Sequence, residues 1–476
     1  MGFGGERAFS PRQHLVKQVM SDRKSLVIVG GGFAGVRVAQ QLERTLPRDW
    51  SMRMLSQDNF ITYNPLLPEV VGASLLPSHV VAPLRQMLHR TDLSMVRVTD
   101  INTSEKTVEY LGEGAGTLHY DALVIAVGQA ANLSLVPGMG TYALPLKTLG
   151  DALFVRNRII ARLEHAELQG DIDARQWLTS FVVIGGGFSG VETAGEMLDF
   201  IHESLRYYKN VSMEDVMVHL VHSGAYLLPE LSMSLGNFAH TKMTKYRLKI
   251  HLNARAVRVD GRGVVLNNGT VLSAGTVVCT IGTAPSPLVA GMNLPKQKGR
   301  LAVAPDMSVP GVDGVWSLGD CAAVPNAQDA SVSPPTAQFA DRQARLLARN
   351  ITAYALGKAT LPFSYKPMGQ MSTVGHNNAV AEIFGFKVSG FLAWLLWRAT
   401  YLAKIPTFGR KVRLFLEWSW AMFFPPDISH LGFVRSRRPS EGDTAPVSAP
   451  GVDVAAPIEL ALMPVSAAEG VLRGSA

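Results

Sequence analysis

Two glycine-rich loops, GGGFAG and GGGFSG, each directly behind a run of β-forming residues, and a late strand ending in an acid predict an α/β protein of two tandem Rossmann-like units. The first loop sets Gly30, Gly32 and Gly35 after Ser25-Leu26-Val27-Ile28-Val29, and the second sets Gly185, Gly187 and Gly190 after Phe181-Val182-Val183-Ile184. In such a loop the first glycine permits the tight turn, the second lets backbone approach a pyrophosphate, and the third lets helix pack on strand. The helix that follows turns unpaired N–H groups and its positive dipole end towards the phosphates. A single GxGxxG also arises in ordinary strand-to-helix turns. Two copies, each between a buried-strand run and helix formers, predict two dinucleotide sites in one chain.

The remaining elements follow in order. After Gly35, Val36, Val38, Ala39 and Leu42 give a helix an apolar face, and a second strand is expected at 52–55. An extended pair at 96–110 and a buried strand at 120–128, ending at Gly128, lead to a helix at 150–169. From Phe181 the pattern repeats: loop, helix, a strand at 216–221, a hairpin at Asn267-Asn268-Gly269 and a closing strand at 276–282, ending at Gly282. This is duplication at the scale of a domain. Val315-Trp316-Ser317-Leu318-Gly319-Asp320 then reads as a strand of the first unit, which is therefore discontinuous (25–150 and 301–375) around the second (151–300). Residues 1–24 are expected to be a flexible N-terminus without the apolar core of a signal peptide, with Met20 as an alternative start. Residues 436–476, rich in Pro, Ala, Ser and Val, are expected to be a disordered tail.

A chain of 476 residues exceeds one hydrophobic core. The net charge of +7 is spread among both signs, without a long Lys/Arg run or zinc-finger spacing, which argues against nucleic acid. Cys279 and Cys321, the only cysteines, lie too far apart for CxxC or CxxxxC. That removes a disulfide framework, a cysteine metal site and a thiol relay, and both are expected to be small buried hydrophobes.

With both loops, Gly319-Asp320 and Pro335-Thr336-Ala337-Gln338, the chain resembles the two-dinucleotide-binding-domain flavoproteins. Among them it looks most like the type II NADH dehydrogenases, single-subunit NADH:quinone oxidoreductases, from about Leu26 to Leu431. The resemblance implies FAD in the first unit, with its pyrophosphate on Gly30, Gly32, Phe33, Ala34 and Gly35, a ribityl hydroxyl on Asp320 beside Gly319, and Pro65 along the isoalloxazine. It implies NADH or NADPH in the second, on Gly185, Gly187, Phe188 and Gly190, with Gly128 and Gly282 completing the cofactor set. Glu192, in a segment matching the family's ELAGE pattern, would stand near the nicotinamide, and Gln338, after Ala337, beside flavin and quinone. These two are the catalytic candidates. The plainer alternatives are a helix N-cap for Asp320 and dipole stabilisation of a carboxylate for Glu192.

Three departures stand out. Ser56 occupies the end of the second strand, where an acid usually grips the adenosine ribose, and His222-Ser223 stand where a Glu would mark NADH. NADPH is therefore expected to be used, or at least not excluded. Near the quinone position Arg342 replaces a second family glutamine, with Gln343 one step on, and Met368 replaces a lysine.

Residues 376–435 are expected to form a membrane-associating region. Between 388 and 424 lie Trp394, Trp397, Trp418 and Trp420 with Phe391, Phe408, Phe415 and further aromatics, and Arg398, Lys404, Arg410, Lys411 and Arg413 against Glu417 alone. No run approaches the ~20 apolar residues of a spanning helix. Two amphipathic helices on an anionic membrane surface fit this pattern, with aromatics at headgroup level; a homodimer interface or core cap is the alternative. The expected protein is a peripheral, non-proton-pumping NAD(P)H:quinone oxidoreductase on the cytoplasmic face of a membrane. Reduction of a soluble electron carrier, or a flavin-dependent sensor with little turnover, are the rival functions.

Overall fold

Val27-Ile28-Val29 and Phe181-Val182-Val183 are buried to the last methyl group, and each run is the central strand of a five-stranded parallel sheet. A parallel sheet covered on both faces requires such uninterrupted apolar runs. The computed structural model describes residues 23–432; the expectations for the N-terminus, for Met20 and for the 436–476 tail fall outside them.

The first unit contains β1 (Lys24–Val29), α1 (Phe33–Thr45), β2 (Trp50–Ser56), β3 (Asp92–Met95) and β4 (Ala122–Ile125). The second contains β5 (Ala143–Pro145), α2 (Leu149–Leu168), β6 (Ser180–Ile184), α3 (Phe188–Ser204), β7 (Met217–Val221), β8 (Lys249–His251) and β9 (Thr276–Cys279). The chain then returns through β10 (Val315–Ser317) and α4 (Ala337–Ala355) to the first unit. Strand orders are β10-β4-β1-β2-β3 and β5-β9-β6-β7-β8, the same arrangement twice. The first sheet takes its outer strand, β10, from beyond the second unit, whereas the outer strand of the second, β5, immediately precedes the rest of its unit. The two crossings, Gln129–Ala131 and Thr283–Pro285, pair antiparallel with each other.

The duplication extends to the insertions. A three-stranded antiparallel sheet precedes the closing strand in both units, 97–119 in the first and 256–273 in the second. Gly269 turns the expected hairpin at φ +85°. The helix expected at 150–169 is α2, fixed at its start by a Thr148–Asp151 capping box.

Strands β11 (Gly369–Thr373), β12 (Ala379–Ile383) and β13 (Phe386–Gly390) form an antiparallel meander that runs across residue 375, so the last part of the first unit and the C-terminal region share one sheet. Two helices follow, α5 (Phe391–Lys404) and α6 (Phe408–Trp420), separated near Pro406 as the sequence predicts.

Candidate active site

The two loops superpose chemically, residue for residue. Gly30 N–H donates to Leu55 O at 2.8 Å and Gly185 N–H to Val221 O at 2.9 Å, tying each turn to the end of the neighbouring strand. Gly30 and Gly185 have φ of +111° and +127°, values that L side chains avoid. A Cβ on Gly35 would overlap the Gly30 carbonyl oxygen, and one on Gly190 would overlap that of Gly185. Gly32, by contrast, faces open space with no protein atom within 4 Å of a Cβ, and Gly187 meets only the Glu230 carboxylate at 3.3 Å. Tight first and third positions around an open second one make a cradle that fits a pyrophosphate in each unit.

Around the first cradle, Tyr63 packs edge-on against Phe33 with ring centroids 5.4 Å apart, which brings the turn Asn64–Leu66, with Pro65, beside the loop. Gly319, at φ +72°, lies against Ala34 and Ala340. Its N–H donates to the buried Gln343 Oε1 at 2.9 Å. Gln343 therefore holds the Gly319 turn, while Arg342 lies over the Tyr365 ring at 5.5 Å. Asp320 follows in a single 3-10 turn that leads into a strand, so the N-cap alternative does not hold. Burial lifts its carboxyl above the usual range against the pull of Lys147 and Arg300, two cations that sequence reading missed. Gly128 is open at φ +65°, whereas the outward side of Gly282 is filled by Leu135. Ala337 is exposed and Gln338 half-buried, in the first turn of α4 capped by Thr336.

Ser56 sits against Gly31 of the first loop and His222 against Gly186 of the second, so each stands directly beside its cradle at the end of the neighbouring strand. His222 Nε2 is buried without a hydrogen-bond partner. A cleft of about 710 Å³ runs from Glu230 to Lys366, Met368, Gln370 and Phe384, beside Gly187.

Glu192 lies in the first two turns of α3, 6% exposed, and accepts a hydrogen bond from Thr373 N–H at 3.2 Å. The Trp397 indole closes over it. Burial, with Glu69 adding repulsion, pushes its carboxyl up to about 8 against the Thr373 and Ser372 hydrogen bonds. A dipole-stabilised carboxylate was the simple expectation; desolvation outweighs the helix dipole here, and the group holds its proton. Between the unperturbed 4.5 and about 8 the folded state binds a proton that the unfolded chain lacks. Stability is lost as pH rises through this window. Glu192→Gln is expected to remove that slope, gaining on the order of 4 kcal/mol on wild type from the bottom of the window to the top; parallel melting-temperature profiles would refute it.

Further acids surround Glu192. Glu69 accepts from the Trp418 indole at 2.9 Å, and Glu196 from Ser74 Oγ at 3.1 Å; burial raises both carboxyls. Arg398 stacks on Trp394 at 3.9 Å and on Trp418 at 5.1 Å, with Glu69 and Glu196 nearby. None of these was singled out from sequence, although Glu192, Glu196 and Asp199 fall at the i, i+4, i+7 spacing of one helix face.

The C-terminal helices correct one expectation. Trp394, Trp397 and Trp418 face inward and are buried, and Arg398 points with them; of the four tryptophans only Trp420 is exposed. Three indoles fill the gap between meander and α6 because a core here needs bulk that leucine lacks. The outer face carries Leu392, Leu395, Phe408, Phe415, Leu416 and Phe423, all exposed. Glu417 pairs with His79 and accepts from Leu76 N–H at 2.5 Å, fastening α6 to the first unit. Among the described residues no helix is long and apolar enough to cross a membrane.

Fold and cradles together define an α/β protein of two duplicated units, each with a glycine cradle, around one buried carboxyl. The family description "Pyridine nucleotide-disulphide oxidoreductase" matches residues 24–344, and "NDH2 C-terminal domain" matches 368–426. The chain is 30% identical over 430 residues to the type II NADH:quinone oxidoreductase Ndh of Mycobacterium tuberculosis, covering 86% of this chain and 90% of that one. It is 26% identical to an internal alternative NAD(P)H-ubiquinone oxidoreductase of Solanum tuberosum, covering 89% and 92%. NDH2 from Plasmodium falciparum, solved in complex with NADH, shares the fold at a TM-score of 0.79 and 18% identity, covering 86% of this chain and 100% of that one. The chain belongs to the pyridine nucleotide-disulphide oxidoreductase family, on its type II NADH:quinone oxidoreductase branch. Unlike a thiol reductase it presents no cysteine pair: Cys279 and Cys321 are each free and buried.

Proposed function

We propose that this protein is an FAD-dependent NAD(P)H:quinone oxidoreductase that moves no protons across the membrane. The observation that carries the reading is the convergence at Glu192: the helix of the second cradle ends its first turns under Trp397, on a helix pair whose other face is exposed and apolar. FAD bound on Gly30, Gly32 and Gly35 supplies the hydride and electron chemistry. The chain's residues do the rest. Asp320 orients the ribityl chain, Glu192 borders the nicotinamide and holds a proton, and Gln338 offers an uncharged amide to the quinone carbonyl. The cradle of Gly185, Gly187 and Gly190 docks NADH or NADPH. Support for NADPH comes from His222, whose unpartnered Nε2 stands on the ribose side where a carboxylate would repel a 2′-phosphate.

Stopped-flow absorbance tests donor and acceptor together. NADH and NADPH should each bleach the flavin, with efficiencies within about a hundredfold of each other, and ubiquinone or menaquinone analogues should restore it. His222→Glu should shift the preference towards NADH by about tenfold, worth ~1.4 kcal/mol. Rapid bleaching with no return by any quinone would favour a soluble acceptor or a sensor.

The exposed apolar face of α5 and α6 is the proposed membrane contact, on the cytoplasmic side, with Lys411 and Arg413 towards anionic lipid. Replacing Phe408, Phe415 and Leu416 by serine should weaken co-sedimentation with phosphatidylglycerol vesicles by about a thousandfold or more, since each buried side chain contributes ~1.5–3 kcal/mol and the three together at least ~4.5 kcal/mol. Unchanged sedimentation, with a dimer in light scattering that the substitutions dissolve, would assign the face to a second copy.

A further inference from the structure

The two cradles repeat each other except at their open position. A Cβ on Gly32 would find no protein atom within 4 Å, whereas one on Gly187 would meet Glu230, with Oε1 at 3.3 Å and Oε2 at 4.0 Å. A pyrophosphate approaches the backbone at this glycine, so a carboxylate here stands beside the phosphates of any dinucleotide on the second loop. The same unit lacks an acid at its strand end, where His222 stands instead. Resting on the proposed function, we propose that Glu230 supplies the missing carboxylate from a different part of the chain: it accepts a hydrogen bond from a ribose hydroxyl of the donor and repels a phosphate in that place, and so selects NADH over NADPH.

The turn that carries Glu230 is fixed, and its side chain alone reaches the cradle. Leu227, Leu228 and Leu231 are buried on either side of it. Leu228 N–H donates to Gly186 O at 2.8 Å, directly onto the loop, and Leu231 N–H closes the turn on Leu228 O at 2.9 Å. Pro229 locks its own φ in between. One residue past the turn, Ser232 N–H donates to Glu382 Oε2 at 3.0 Å, which ties the segment to the meander. Between these anchors the Glu230 side chain is exposed on the wall of the cleft of about 710 Å³. His222 is its neighbour on the other side: the ring lies against Gly186, one residue before Gly187, and the Glu230 carboxylate acts on the imidazole. One carboxylate therefore spans the step from the pyrophosphate glycine to the strand end, the interval that the adenosine ribose has to cross. The cleft works in the same direction. Its wall carries Glu230 and Glu382 against Lys366 alone, so a phosphate entering it meets more negative charge than positive. His222 does not offset this, because burial lowers the pKa of its imidazole and leaves a neutral hydrogen-bond partner rather than a fixed cation.

Calorimetry on the flavin-loaded protein with ADP-ribose and 2′-phospho-ADP-ribose tests the assignment without turnover, because the two ligands differ only by the phosphate in question. Wild type should bind ADP-ribose the more tightly. Glu230→Gln keeps an acceptor oxygen and removes the charge facing a phosphate that carries nearly two. It should move the affinity ratio about tenfold towards the 2′-phosphorylated ligand, ~1.4 kcal/mol. Glu230→Ala removes the acceptor as well and should weaken ADP-ribose about fivefold, within the range of one hydrogen bond. In about 1 M salt, where the Debye length falls to ~3 Å, the Glu230→Gln shift should shrink below about threefold. Glu230 is exposed, so neither substitution removes core packing. The same shift should appear in the ratio of flavin-bleaching efficiencies with NADPH and NADH. An affinity ratio indifferent to residue 230, or a wild type that prefers the 2′-phosphorylated ligand, would overturn the assignment and leave the donor site standing. Failure of both ligands to bind any of the three proteins would instead remove the donor site itself, and sink the proposed function together with this inference.

Discussion

Gly32→Ala should fold with wild-type stability and bind FAD about a hundredfold more weakly, whereas Gly35→Ala should lose about 3 kcal/mol of stability and purify colourless. The two residues lie three positions apart in one loop, and the contrast rests on what a methyl group meets. At Gly35 it enters the Gly30 carbonyl, so α1 must move away from β1 and the whole first sheet loosens. At Gly32 it meets no protein atom, and only a pyrophosphate drawn close to the backbone would feel it. Melting temperature and flavin absorbance of the two proteins, side by side, decide the matter. Gly32→Ala with undiminished flavin content would mean that the open cradle is not where the phosphates lie.

Trp397→Ala should cost about 4 kcal/mol, near the top of the range for large core truncations. Trp397 is 1% exposed, packs on Tyr401 with centroids 4.5 Å apart and on Trp418 at 6.1 Å, and covers Glu192. Removing the indole opens a cavity between α3 of the second unit and both C-terminal helices. Water entering it would return the Glu192 carboxyl towards its ordinary range, and α5 and α6 should become sensitive to limited proteolysis near Pro406. A variant as stable and protease-resistant as wild type would show that the contacts of α6 with the first unit, among them Glu417–His79 and Trp418–Glu69, hold the helices without the indole.

The loops and the buried strands were legible because local chemistry dictates them. Gly30, Gly35, Gly185 and Gly190 are needed for backbone reasons that hold in any strand–loop–helix unit, and continuous runs such as Phe181-Val182-Val183-Ile184 have one comfortable home, the middle of a parallel sheet. The end positions Ser56 and His222 were also legible, since counting along a strand places them beside the loop. The inward turn of Trp394, Trp397 and Trp418 was not. Aromatic, cationic helices read alike whether their rings meet lipid or core, and nothing local tells that α5 folds back on the meander that precedes it and on α6. The role of Gln343 was not legible for a related reason: one step along α4 from Arg342 rotates a side chain by about 100°, here into the core against the Gly319 turn.

Taken alone, then, the amino-acid order determined the duplicated architecture, the two glycine cradles and the absence of a thiol pair, because each depends on residues within a few positions of one another. Tertiary structure decided the electrostatics. Glu69, Glu192, Glu196 and Asp199 are ordinary surface acids by composition, and only the closing of α5, α6 and the meander over α3 takes them out of water. Desolvation depends on what lies within a few ångströms in space, and for these carboxyls that is Trp397, Trp418, Thr373 and His376, between 177 and 349 residues away along the chain in the contacts they make.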